Sequence, residues 1–162
     1  MHVTERFRRV NFGRLEIQDG IAYRSNFGTQ RQSDDLRHAL FDDTYQILHF
    51  SGHGGFNTLL FENERSNAVK SPLEAIVSLI DHHPSIRCVI LNACNSVAAL
   101  GQAIADLAIG VDQTIDDDAA IQLAQGFYDG DAAGKSYEFA IEEGRISCVA
   151  KKLIVPLKVL TR

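Results

Sequence analysis

The sequence predicts an α/β fold in which a mainly parallel sheet is layered with helices. Three observations carry that prediction. Gln46-Ile47-Leu48-His49-Phe50-Ser51 has the apolar content of a buried strand and ends abruptly in Gly52-His53-Gly54-Gly55. Cys88 to Ala93 repeats the plan, with Cys94 at its tip, and Ala108 to Val111 supplies a third short apolar run. Between and after these runs, apolar residues recur at helical spacing behind residues that cap helices.

The elements follow in chain order. Met1 to Phe12 is polar with scattered aromatics and carries no clear signal; residues 1–32 form a weakly defined N-terminal segment of one domain spanning 1–162. Arg14 to Ile17 and Ile21 to Ser25 are candidate strands around the Asp19-Gly20 turn pair. Ser33 is a candidate N-cap, with Asp34 and Asp35 suited to the first turn and Leu36, Ala39 and Leu40 on one face. Tyr45 to Ser51 is the first buried strand, Thr58 to Phe61 a further short one, and Asn63 to Lys70 a polar loop. Ser71-Pro72-Leu73-Glu74 has the form of a capping box with proline in the first turn, and Leu73, Ile76, Val77 and Ile80 follow at helical spacing. That helix should end near Asp81, because Pro84 restricts the residue before it.

Asn95 or Ser96 caps the helix expected after Cys94, with Val97, Leu100, Ile104 and Leu107 on one face. Asp116, Asp117 or Asp118 caps the next, with Ile121, Ala124 and Phe127 or Tyr128 facing inward. Ser136 starts a last helix bearing Tyr137, Ala140 and Ile141. Leu153, Val155, Leu157 and Val159 alternate as in a strand, which Pro156 assigns to a sheet edge. Gly130-Asp131-Ala132-Ala133-Gly134-Lys135-Ser136 imitates a phosphate loop, but its glycines are too closely spaced and a helix precedes it. A helix break followed by a capped helix accounts for it.

Composition bounds the function. The chain has 162 residues, a hydrophobic content of 45% and a net charge of −5 without a basic run, so nucleic acid is not an expected partner. No apolar stretch approaches the length needed to cross a bilayer, and no signal-peptide core follows Met1, so neither membrane association nor export is expected. Three cysteines, Cys88, Cys94 and Cys148, show no pairing pattern; a reducing, cytoplasmic compartment is the simpler expectation. No cluster has metal-ligand spacing, and neither metal nor organic cofactor is expected.

Sites in open α/β sheets form at the carboxyl ends of the strands, and His53 and Cys94 both fall just past such an end. A thiol attacks as its thiolate, which a nearby imidazole or helix N-terminus favours. Gly54 and Cys94 offer backbone N–H groups as oxyanion donors. Cys94 would attack a carbonyl, His53 would protonate the departing amine, and water would release the thioester. Cys88, Cys148 and His49 sit in apolar surroundings and are assigned to packing, and His82 and His83 to a solvated loop.

His49-Phe50-Ser51-Gly52-His53-Gly54 and Leu91-Asn92-Ala93-Cys94-Asn95-Ser96 resemble the two catalytic motifs of CHAT domains, caspase-like peptidases related to caspases, metacaspases and separases. Ile109-Gly110, Asp116 to Ala120, Gly126-Phe127-Tyr128 and Gly134-Lys135-Ser136 resemble the family's later signature in the same order; the resemblance covers about Ser33 to Arg145. It implies a three-layer caspase-like fold, a His53–Cys94 dyad, and Gly54 as oxyanion donor. It also implies an acidic residue lining the pocket for the residue before the cut, for which Asp116 is the best match and Asp112 and Asp118 are alternatives. An acid there favours Arg or Lys in the substrate. The family's usual first, central apolar strand has no counterpart in residues 1–32, so the fold is expected to lack or rearrange it. The leading function is a cysteine endopeptidase acting on a protein or peptide, with a regulatory partner protein expected. The alternatives are an inactive caspase-like binding module, a fragment of a larger signalling or defence assembly, and a transferase using the same acyl intermediate.

Overall fold

The computed structural model describes residues 9–12, 36–38, 40–41, 45–51, 53–55, 57–62, 68–92, 105–111 and 115–161. Its strands are β1 (Arg9–Phe12), β2 (Ile47–Ser51), β3 (His53–Gly55), β4 (Thr58–Glu62), β5 (Ala68–Pro72), β6 (Cys88–Asn92), β7 (Leu107–Val111) and β8 (Leu157–Thr161). Its complete helices are α1 (Leu73–Asp81), α2 (Asp117–Ala132) and α3 (Tyr137–Ala150), and residues 36–38 and 40–41 are helical as well.

The main sheet runs β1-β2-β6-β7-β8. Its first four strands are parallel, and β8 closes the far edge antiparallel to β7. Strand alternation sorts the apolar side chains onto two faces. Leu48, Phe50, Val89, Leu91 and Ala108 face one core, shared with Leu36, Leu40, Leu73, Ile76 and Ile80. Ile47, Cys88, Ile90, Leu107 and Ile109 face a second, shared with Leu123, Ala124, Phe127, Ala140 and Ile141. The result is the three-layer mixed α/β fold with a mainly parallel sheet that the sequence predicts. Strands buried on both faces explain why β2, β6 and β7 are near-continuously apolar.

The two helices of the second layer pack at very short range. A Cβ on Gly126 would lie 2.7 Å from the Glu143 carbonyl oxygen and 2.7 Å from the Gly144 Cα, and one on Gly144 would lie 2.6 Å from the Leu123 carbonyl oxygen. Asp116 caps α2, its carboxylate accepting the Asp118 N–H at 2.9 Å, and Ser136 caps α3, accepting the Phe139 N–H at 3.3 Å. Between them the phosphate-loop look-alike is a helix break, with Gly134 at φ 72.

Several local expectations are corrected. Ser71 does not cap a helix: it is buried in β5 opposite Leu59, and Pro72, at φ −59 and ψ 133, ends that strand in extended conformation. The first amide of α1 instead donates to a turn, Leu73 N–H to Asn57 C=O at 3.0 Å. The stretch expected as a loop to Lys70 contains the start of β5, which gives β4 its second ladder partner. Leu107 opens β7 rather than lying on a helix. Leu153 and Val155 precede β8 instead of joining it, because the chain turns at Pro156, with Leu157 N–H donating to Val155 C=O at 2.9 Å. The edge position of that last strand is as predicted.

Arg9–Phe12, which gave no signal, pairs in parallel with β2 on the side away from β6. β2 pairs directly with β6, so among the described strands none preceding β2 occupies the centre of the sheet, and residues 14–25, the stretch considered for rearrangement into the first strand, lie outside the described residues. The candidate strands at 14–25, the cap at Ser33 and the helix after Cys94 lie outside the described residues. Among the described residues, no helix is long and apolar enough to cross a membrane.

Candidate functional site

β2 and β6 are adjacent, parallel and in register, their last pair being Ser51 with Asn92. Strand β7 continues the parallel set, Gly110 pairing with Leu91. The chain segments leaving β2, β6 and β7 therefore depart from the same edge of the sheet. His53 follows Ser51 by two positions and Cys94 follows Asn92 by two. Neighbouring strands lie about 4.8 Å apart, and a chain advances at most about 3.6 Å per residue. The ends of β2 and β6, at Ser51 and Asn92, therefore share one rim of the sheet.

The backbone of His53 begins β3, the first strand of a three-stranded antiparallel ribbon, β3-β4-β5. It pairs with Leu60, and Gly54 pairs with Leu59, whose side chain is buried in the first core. The connection between β3 and β4 is two residues long, and its second residue, Asn57, holds φ at 55. Asparagine tolerates that left-handed conformation better than most residues. Because the Asn57 carbonyl also accepts the first amide of α1, the hairpin carrying His53 is tied to the helix layer. β3 is the outer strand of its ribbon, and alternate N–H groups of an outer antiparallel strand point away from the ladder. Such a group is what the oxyanion assignment to Gly54 requires.

Cys94 and Asp112 lie outside the described residues. Asp116 and Asp118 are exposed at the start of α2, on the segment that follows β7. One oxygen of Asp116 is committed to the Asp118 amide, so its capping role is structural fact.

The remaining thiols and imidazoles are accounted for by packing. Cys88 is fully buried, and burial, reinforced by Asp131 and Glu138, pushes its thiol well above the usual range. Cys148 is pushed up by burial too, and its Sγ–H donates to the Ala119 carbonyl at 3.4 Å. Neither is a plausible nucleophile, since the thiolate is the reactive form.

His49 is 1% exposed, its Nδ1 2.8 Å from the Tyr128 hydroxyl, and burial holds its pKa down to about 4. The sequence expectation of a satisfied core histidine is half right: Nε2 is buried with no hydrogen-bond partner among the described residues. His83 differs from expectation similarly; it is half-buried, its ring lies 5.9 Å from that of Phe41 at a tilt of 52°, and its Nε2 lacks a partner among the described residues. Among the described residues, no three His, Cys, Asp or Glu side chains converge as a metal would need.

A mainly parallel sheet between helix layers is consistent with the caspase-like α/β class. The CHAT domain profile matches residues 16–155. The chain belongs to the CHAT domain family, whose members are related to caspase-like cysteine peptidases. The matched span is wider at both ends than the stretch that carried the motif resemblance. A comparison with curated proteins finds no match.

Proposed function

We propose that this CHAT domain is a cysteine endopeptidase in which Cys94 is the nucleophile and His53 its acid–base partner. The observation that supports the reading best is the in-register Ser51–Asn92 pair, from which the two residues are equally offset. Cys94 passes its thiol proton to His53, and the thiolate Sγ attacks the scissile carbonyl carbon as the carbonyl π electrons move to oxygen. The N–H groups of Gly54 and Cys94 hold that oxyanion. Its collapse expels the amine, which takes a proton from His53, and leaves a thioester. Water, deprotonated by His53, hydrolyses the thioester and restores the thiol.

Asp116, flanked by Asp112 and Asp118, lines the pocket for the residue before the cut and selects Arg or Lys there. Only one Asp116 oxygen is spent on capping, which leaves the other for a guanidinium or ammonium. The proposal needs no metal or organic cofactor and places the enzyme in the cytoplasm, acting on protein or peptide under a partner's control. A thiol-directed peptidyl probe ending in Arg tests it. The wild type should be labelled at Cys94, and Cys94→Ala and His53→Ala should lose labelling. An untouched wild type with an intact fold would instead favour a binding module, a reading motivated by the weakly patterned N-terminal segment.

A further inference from the structure

Helix α3 carries large apolar side chains on two opposite faces; one is packed against the core, and on the other, among the described residues, Lys135 Nζ lies 5.7 Å from the Phe139 ring. Ala140, Ile141, Gly144 and Cys148 are buried against α2 and the sheet. On the opposite face Phe139, Ile146 and Val149 are 48%, 53% and 69% exposed, and Ile154, just past the helix, is 87% exposed. With Glu142, Phe139, Ile146 and Val149 recur along α3 at the alternating spacing of three and four that defines a helix-pairing seam. A soluble helix spends its solvent face on polar residues, so a second apolar stripe marks a contact surface.

The charges around the stripe name the occupant. Glu138, Glu142 and Glu143 fill the first half of α3, Arg145 at mid-helix pairs with Glu142 at 3.3 Å, and Lys151 and Lys152 follow its end. A second copy lying antiparallel sets each acidic half against the other's basic end. A parallel copy would set like against like. The same antiparallel pairing, centred on Gly144, brings Phe139 opposite Val149 and Glu142 opposite Ile146. Self-complementarity of this kind is what a two-fold contact requires.

We propose that two copies of this chain associate through the exposed face of α3, antiparallel across a two-fold axis that crosses the helix at the level of Gly144. The seam is short, about 21 Å for fourteen helical residues, and Glu142 interrupts it, its charge shared with Arg145 at 3.3 Å. An interface of that length is at the small end of stable contacts, so the dimer dissociates in the micromolar range. This surface lies on the outer face of a second-layer helix that runs from the amino edge of the sheet, where Tyr137 meets Gln46, to the carboxyl edge, where β8 begins opposite Val111, and the inference does not rest on the peptidase reading.

Sedimentation equilibrium of the full chain, under reducing conditions and over a wide concentration range, tests it. A monomer–dimer equilibrium is expected, weakened at least about tenfold by Ile146→Glu, which sets a carboxylate against Glu142 of the other copy. Near-UV circular dichroism checks that the variant keeps its packing. Glu138→Lys and Lys151→Glu/Lys152→Glu, all at exposed positions, should each weaken self-association, and mixing the two proteins should restore dimer. A chain that stays monomeric at about 0.5 mM overturns the proposal, as does a dimer indifferent to Ile146→Glu or to the charge reversals.

Discussion

Lowering the pH should destabilise this protein through His49, by an amount the structure specifies. Burial holds the imidazole near pKa 4, against 6.5 for an exposed histidine. Protonation would make both ring nitrogens donors, and Nε2 has no acceptor among the described residues. The sign follows from which state binds the proton. Between pH 6.5 and 4 the unfolded chain takes it and the folded chain does not, so stability falls as the pH drops through that window. Above pH 6.5 His49 is neutral in both states and contributes no slope. The gap between the two pKa values, at 1.36 kcal/mol per unit, makes the loss about 3 kcal/mol, a large share of a small domain's stability.

Urea denaturation at several pH values between 7 and 4, on wild type and His49→Gln, isolates the effect. Gln does not titrate, and the acidic side chains common to both proteins cancel in the difference. The wild type should lose about 3 kcal/mol more than the variant over the window. Parallel pH profiles would show that His49 is not a neutral, desolvated imidazole and would refute the argument.

Other perturbations test the remaining contacts. Gly126→Ala should cost about 1–3 kcal/mol in urea denaturation, because the new methyl meets the backbone of α3 at 2.7 Å. Asn57→Val should destabilise by about 1–2 kcal/mol by forcing a β-branched residue to positive φ, and should speed exchange of the Leu73 amide, whereas Asn57→Gly should do neither. Asp116→Ala should cost about 1 kcal/mol by removing the α2 cap, while Asp116→Asn should keep the cap; on the peptidase reading only the preference for Arg or Lys then drops, read as kcat/KM on matched peptides. Iodoacetamide on the native chain should alkylate Cys94 well before Cys88 or Cys148, read by peptide mass spectrometry, since the latter two are buried thiols held above their usual pKa.

Much of the fold was legible because local signals and global burial agree. β2, β6 and β7 are apolar at nearly every position, a pattern that only a strand covered on both faces needs. Asp116 and Ser136 sit where an oxygen acceptor meets an unsatisfied helix N–H, and that chemistry is local. The two site motifs were visible because glycine and small residues interrupt an apolar run only where backbone must turn at a strand end. The peptide order alone thus determined the layered sheet, the two helix starts and the family.

What tertiary structure decided was every outcome that depended on a distant partner. Ser71 and Pro72 spell a helix cap but form strand, because β4 offers a ladder and the Asn57 carbonyl takes the first helix amide instead. Arg9–Phe12 has no signal of its own and becomes a strand by pairing with β2. His49 reads as an ordinary core residue; among the described residues its Nε2 has no partner, because Tyr128, on a helix far along the chain, meets Nδ1 alone. Whether a ladder forms, or a buried nitrogen is satisfied, depends on atoms brought together only when the chain has folded, and no window of sequence contains both partners.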